Sequence, residues 1–180
     1  MSKTNIRNLT VTALCIALCA VLPMGFHALN LGPTFSPMHI PPLICGLVCG
    51  PVYGAVCGLL GPIISSLTTS MPPVARLWFM VPELVAYGLL SGLFFKLIKT
   101  GNLYADIYCA LVPAMVLGRI VGGIAQAITM MAAAKEYSIA MWATGYFANA
   151  VPGIILHLIL VPAVYIALDK AKLVPKRYEK

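Results

Sequence analysis

The chain has 180 residues, of which 61% are hydrophobic and only 9% charged, and its mean hydropathy is +0.94. Soluble chains carry roughly 25% charged residues, so this composition excludes a mostly water-wetted surface. The net charge of +7 does not point to nucleic acid: nine of the twelve basic residues (Lys3, Arg7, Lys96, Lys99, Lys170, Lys172, Lys176, Arg177 and Lys180) fall near the same expected ends of apolar runs. That is an orientation signal of the positive-inside kind.

Apolar residues run continuously rather than alternating, which argues for helices over strands. The expected fold is an all-α integral membrane protein, one domain over 1–180. Six transmembrane helices at about 9–26, 39–50, 53–69, 77–95, 107–133 and 139–168 leave both termini cytoplasmic. The first apolar run has no small-x-small cleavage site, so it is expected to stay as a span.

Residues 1–8 are polar and basic. The first span, LTVTALCIALCAVLPMGF, carries Ala13 and Ala17 four apart, a small-residue face of the kind that lets helices approach closely in lipid. The spacing serves internal packing and a partner-binding face equally well. The loop HALNLGPTFSPM (27–38) has no formal charge and is expected to fold back over the protein. The second span begins near His39, with Pro41 and Pro42 suited to a first turn. At about 12 residues, or about 18 Å of helix, it is short for a hydrocarbon core of about 30 Å.

From Met38 to Pro73 the sequence is almost uncharged. Glycines recur every fourth residue at Gly46, Gly50, Gly54 and Gly58, and the pairs Gly50-Pro51 and Gly61-Pro62 interrupt the run. Two short helices in close contact are expected there. The run ends in the hydroxyl cluster Ser65, Ser66, Thr68, Thr69 and Ser70.

Ionisable residues inside a bilayer normally face partners or a cavity. Glu83 in the fourth span and Arg119 in the fifth are the two clear cases, with Arg76 at the rim. Tyr87 shares a helix face with Glu83. Gly122, Gln126 and Met130 rise along one face beyond Arg119, and Trp142, Tyr146, Asn149 and Pro152 form a similar stripe in the sixth span. These stripes, with the hydroxyl cluster, are expected to line one polar cavity in the outer half of the bundle, and His39 stands at its mouth. Structural roles remain open. Glu83 and Arg119 either bind ligand or pair with each other, and Gln126 and Asn149 equally suit interhelical hydrogen bonds. His157 reads as a satisfied buried histidine. Five of the six cysteines lie in apolar segments without metal-site spacing and are expected to pack as small apolar side chains.

No metalloprotease, nucleophile-elbow or phosphate-loop motif occurs, so no enzyme chemistry, metal or cofactor is expected, and any ATP-driven work must come from another subunit. The first-helix Ala-x-x-x-Ala face, the run HIPPLICGLVCGPVYGAVCGLLGPIISSLTTSMPP, the segment PELVAYGLLSGLFFKL and the late run GYFANAVPGIILHLILVPAVYIAL resemble the substrate-binding (S) components of energy-coupling factor (ECF) transporters, in the pantothenate- and riboflavin-type group. The resemblance spans the chain.

It implies a vitamin-binding subunit of the bacterial plasma membrane that docks on a coupling transmembrane protein and two ATPases. Ala13 and Ala17 would form the docking face, and the ligand would lie toward the outer side under the 27–38 loop. Two arginines near the cavity favour an acidic ligand group, and pantothenate, with one carboxylate, one amide and two hydroxyls, is the best fit. If Glu83 pairs with Arg119, a neutral ligand such as a pyridoxine-like vitamin or a queuosine precursor fits equally, and riboflavin is a further candidate. A stand-alone ion-coupled carrier and a small membrane enzyme are the readings outside this class.

Overall fold

The computed structural model describes residues 3–28, 35–174 and 177–178, apart from the side chains of residues 3, 4, 27 and 28. Among them there are helices and no strands. Helix α1 spans Lys3–Ala28. A short 3-10 turn, Pro37–His39, leads into α2, Ile40–Cys49. The chain continues through α3 (Pro51–Thr69), α4 (Val74–Leu97) and α5 (Leu103–Ala132). A single turn, α6 (Ile139–Ala143), passes into a π-helical turn, Thr144–Ala148, and the chain closes with α7, Val151–Lys170.

Five of these helices are long and apolar enough to cross a membrane, and the second expected span is the short apolar stretch Pro37–Cys49. The last expected span is not one helix from 139 to 168. The π turn widens the backbone by one residue and the α-helix restarts at Val151. That extra residue rotates the downstream side chains by about 100° relative to an unbroken α-helix, so the stripe drawn from Trp142 to Pro152 does not stay on one face.

Proline and glycine set the hairpin. Pro41 and Pro42 occupy the first turn of α2, where a missing N–H costs nothing. Gly50 takes φ 96°, a conformation favourable only for glycine, and Pro51 opens α3. The second pair does not interrupt the chain as expected: Gly61 and Pro62 sit inside continuous α3. Both are buried, and a Cβ on Gly61 would lie 2.6 Å from Cys19 Sγ of α1. Packing by neighbouring helices keeps a proline-containing helix intact in a bundle.

The glycine seam brings the two arms together as expected, a Cβ on Gly54 lying 2.7 Å from Gly46 Cα, and it also serves a second partner. A Cβ on Gly46 would come within 2.3 Å of the Gly88 carbonyl oxygen, one on Gly54 within 2.3 Å of the same atom, and one on Gly58 within 2.2 Å of the Leu84 carbonyl oxygen. Both arms of the hairpin therefore press against the backbone of α4. Two apolar clusters flank this wedge. One joins α2, α4, α5 and α7 through Leu43, Tyr87, Ile107, Leu111, Val161 and Tyr165. The other gathers Cys15, Cys19, Cys45 and Cys57 with Met38 and Leu84, so four of the six thiols do pack as small core side chains.

Contacts place the start of α1, the Gly50-Pro51 turn and the tail at one end of the bundle. Cys49 Sγ lies 3.8 Å from the Asn8 carbonyl oxygen, and Arg177 donates to the Ile98 carbonyl. Arg177 and Tyr178 both reach fully buried Asp106 at the start of α5, and Thr100 donates to it through its backbone N–H and its hydroxyl, each at 2.7 Å.

Candidate functional site

The opposite end of the bundle holds a cavity of about 570 Å³. Its wall is drawn from α1, α4 and α5 and from the segments between the long helices: Pro23 of α1, Ser36–His39, the turn Met71–Pro73, Arg76 and Glu83 of α4, Arg119 and Gln126 of α5, and Tyr146 of the π turn. Six of the eight expected ligand-site residues thus meet there: His39, Arg76, Glu83, Arg119, Gln126 and Tyr146.

Glu83 is buried, 6% exposed, and two side chains hold it. The Tyr87 hydroxyl donates to its Oε1 at 3.1 Å, and His39 Nε2 stands 3.4 Å from the same oxygen. Tyr87 therefore belongs to the site by holding Glu83 rather than by lining the cavity. Space for the carboxyl comes from α5: a Cβ on Gly122 would sit 2.9 Å from Glu83 Cδ and Oε2. The adjacent Gly123 makes room for Trp142, whose indole N–H donates to the Arg119 carbonyl oxygen at 3.2 Å. Two neighbouring glycines thus seat two different side chains.

Arg119 is 4% exposed. Among the described residues no carboxylate pairs with it, and its buried Nε has no hydrogen-bond partner. Its guanidinium carbon stands 5.7 Å from the centre of the Phe147 ring, within cation–π range. A buried cation so poorly compensated is expensive. Arg76, in the first turn of α4, is an exposed second cation on the cavity wall. Gln126 accepts from the Tyr137 hydroxyl at 3.2 Å.

Several expectations are not met by this geometry: of the expected stripes, Met130, Trp142 and Pro152 lie off the wall. Asn149 is exposed and does not line the cavity; its N–H closes the π turn by donating to the Thr144 carbonyl at 2.9 Å, and the rotation introduced by that turn carries its side chain off the stripe. The hydroxyl cluster also stays out of the wall. Ser65 and Ser66 donate to the Met71 and Pro72 carbonyls, at 2.7 and 2.8 Å, while Thr68 and Thr69 bond back into α3. These hydroxyls hold the α3–α4 turn, and it is Met71–Pro73 that the turn presents to the cavity.

Ser36, Pro37 and Met38 of the wall belong to the loop expected to cover a ligand, whereas Pro23, Phe79, Met80 and Met141 were not marked in the sequence. Apolar side chains in an apolar chain carry no distinguishing signal, and Ser36 matters through its carbonyl. That oxygen is 3.0 Å from His39 Nδ1 and 3.3 Å from His157 Nε2. His157 is 1% exposed and hydrogen-bonded, in keeping with the buried, satisfied histidine read from the sequence. Of the loop expected to cover a ligand, residues 29–34 lie outside the described residues. Phe35 packs against Phe26 with ring centres 5.9 Å apart.

Ala13 and Ala17 are both exposed, on the face of α1 opposite buried Thr12, Cys15 and Cys19. The small-residue face is therefore not consumed by packing within the bundle.

A multi-pass helical membrane protein with a ligand-sized, largely apolar cavity and a few convergent polar groups at one end has the form of a small-molecule binding protein. The family model for the ECF transporter substrate-specific component matches residues 7–165. The chain belongs to that family, whose members are transport proteins that capture a small molecule and work with an ECF module. No curated protein and no solved structure matches it.

Proposed function

We propose that this chain is the substrate-binding subunit of an ECF importer for a small, water-soluble micronutrient bearing an acidic group, with pantothenate the best fit. The observation that carries the reading is Arg119: a buried guanidinium on the cavity wall with no carboxylate partner among the described residues. A carboxylate or phosphate would supply the missing counter-charge and bind the planar fork in a bidentate way. Glu83, Gln126 and Tyr146 offer hydrogen bonds to hydroxyl and amide groups, the remaining polarity of pantothenate. The neutral-ligand alternative was tied to a Glu83–Arg119 pair, and Glu83 is engaged by His39 and Tyr87 instead. At about 570 Å³ the cavity is within the usual range of small-molecule sites.

The cavity end is assigned to the outer side. Lys96, Lys99, Lys170 and Lys172 crowd the opposite end, as positive-inside bias requires of the cytoplasmic face. The partners are a coupling transmembrane protein and two ATPases, and the exposed Ala13–Ala17 face of α1 is the surface offered to the first of them. The experiment is mass spectrometry of the small molecule that copurifies with the isolated chain, followed by titration with pantothenate. A copurifying carboxylate or phosphate, with saturable 1:1 binding, supports the reading. A neutral copurifying ligand refutes it.

A further inference from the structure

His39 is the residue at which the Pro37–His39 turn meets α4 and α7, and each of its two ring nitrogens stands near an acceptor. Nδ1 stands 3.0 Å from the Ser36 carbonyl oxygen. A carbonyl only accepts, so Nδ1 carries a hydrogen. Nε2 stands 3.4 Å from Glu83 Oε1, an oxygen already accepting from Tyr87. With Nδ1 protonated and the ring neutral, Nε2 would turn a lone pair toward an ionised carboxylate. The two side chains are only 10% and 7% exposed, so their contact is largely shielded from bulk solvent. The ring is also held in place, edge-on to Tyr87 at 5.2 Å and beside His157 at 5.9 Å. A proton between Nε2 and Oε1 removes the conflict, and a buried polar contact without one would be costly.

We propose that the cavity carries a proton-binding site shared by His39 and Glu83, and that it binds its anionic ligand together with this proton. The pair is written either as imidazolium with carboxylate or as imidazole with carboxylic acid. Both forms hold one dissociable proton and have zero net charge. Among the described residues, the other ionisable groups around the pair are Tyr87 on α4, His157 on α7, Arg119 on α5, Tyr137 beside Gln126, Tyr146 on the π turn and Arg76 at the rim. With the pair neutral, the two arginines set the sign of the cavity and favour an anion. Loss of the proton leaves a net negative pair in the same cavity and opposes the anion. Proton and anion therefore stabilise each other's binding, and linkage makes the effect reciprocal. The coupling rests on the acidic-ligand reading of the cavity; the proton site itself does not.

The test has two arms, both on the full chain in lipid nanodiscs. Without ligand, nitrogen-15 spectra of ring-labelled histidine and infrared carboxyl bands are recorded at neutral pH. His39→Gln and Glu83→Gln supply the assignments. The expected result is either a His39 ring protonated on both nitrogens or a carboxylic-acid band that disappears in Glu83→Gln. A neutral His39 with bare Nε2 beside an ionised Glu83 overturns the proton site. In the second arm, the Kd for pantothenate is measured against pH. It is expected to weaken by up to about tenfold per pH unit on the alkaline side, the limit for one linked proton. Glu83→Gln, whose amide donates to Nε2 with no proton to lose, is expected to remove that slope. A wild-type Kd that stays flat, or a slope that survives Glu83→Gln, overturns the coupling. If pantothenate does not bind at any pH, the ligand choice falls and the first arm alone decides the proton site.

Discussion

Arg119 is the residue on which the binding reading turns, because a guanidinium in a membrane bundle is tolerated only when something answers its charge. Arg119→Ala is expected to weaken ligand binding by on the order of 1.5 to 3 kcal/mol, the range for a lost charge-assisted bond, while leaving thermal stability equal or higher. Arg119→Lys should not restore affinity, since an ammonium cannot form the bidentate fork. Calorimetric titration of the three proteins checks both statements. Gly122 is the quieter counterpart. Its missing side chain is where the Glu83 carboxyl sits, so Gly122→Ala should push that carboxyl off His39 and Tyr87. The expected outcome is reduced affinity with a lowered melting temperature, because the carboxyl can swing aside but Glu83 Cβ, 3.0 Å from the added carbon, is fixed to α4. Arg119 and Glu83 were legible in the sequence because charge in an apolar run is conspicuous. The roles of Ser36 and Gly122 were not, since a backbone carbonyl and an absent side chain act only through what tertiary packing brings to them.

At the scale of elements, the glycine-rich hairpin is the groove into which α4 fits. Spacing of four announced a face without side chains, but it carries no label for the helix that will occupy that face. Close backbone approach makes the seam intolerant of volume. A Cβ on Gly88 would lie 2.1 Å from the Gly54 carbonyl oxygen, whereas nothing lies within 4 Å of one on Gly25. Gly88→Ala and Gly54→Ala are therefore expected to destabilise the protein by roughly 1 to 3 kcal/mol or more, the cost of overpacking. Gly25→Ala should be neutral. Thermal unfolding in detergent, with the Gly25 variant as control, decides it. The π turn makes the same point about register. Of the stripe extrapolated at 3.6 residues per turn, Tyr146 lies on the cavity wall, Trp142 turns to the Arg119 carbonyl, and Asn149 lies on the far side of a one-residue insertion that has no mark in the sequence.

Across the whole molecule, the two ends do different work. One end holds the cavity; the other is fastened by the tail, where Arg177 and Tyr178 converge with Thr100 on buried Asp106. Arg177 also lies over the Phe95 ring, 3.9 Å from its centre. Asp106→Ala leaves those donors without their acceptor and is expected to cost about 3 kcal/mol, the low end for a broken buried pair. Limited proteolysis should then cut the tail faster, with ligand affinity little changed because the cavity is at the other end. The outward face of α1 is a third region. Ala13→Trp or Ala17→Trp should abolish association with an ATPase-bearing module in copurification while leaving ligand binding intact. A complex that survives both substitutions would place the docking face elsewhere.

By itself the sequence determined that the chain is helical and membrane-embedded, which residues are charged inside apolar runs, where Gly50-Pro51 turns the backbone, and which family the chain resembles. Each of these depends on composition or on local stereochemistry, and both are written along the chain. Only the tertiary structure decided that Glu83 is held by His39 and Tyr87, that no carboxylate among the described residues pairs with Arg119, that the hydroxyl cluster braces a turn, and that α4 fills the glycine seam. Those facts depend on which residues far apart in the chain come within a few ångströms of each other. Helical periodicity fixes the face a side chain takes on its own helix; packing chooses what that face meets.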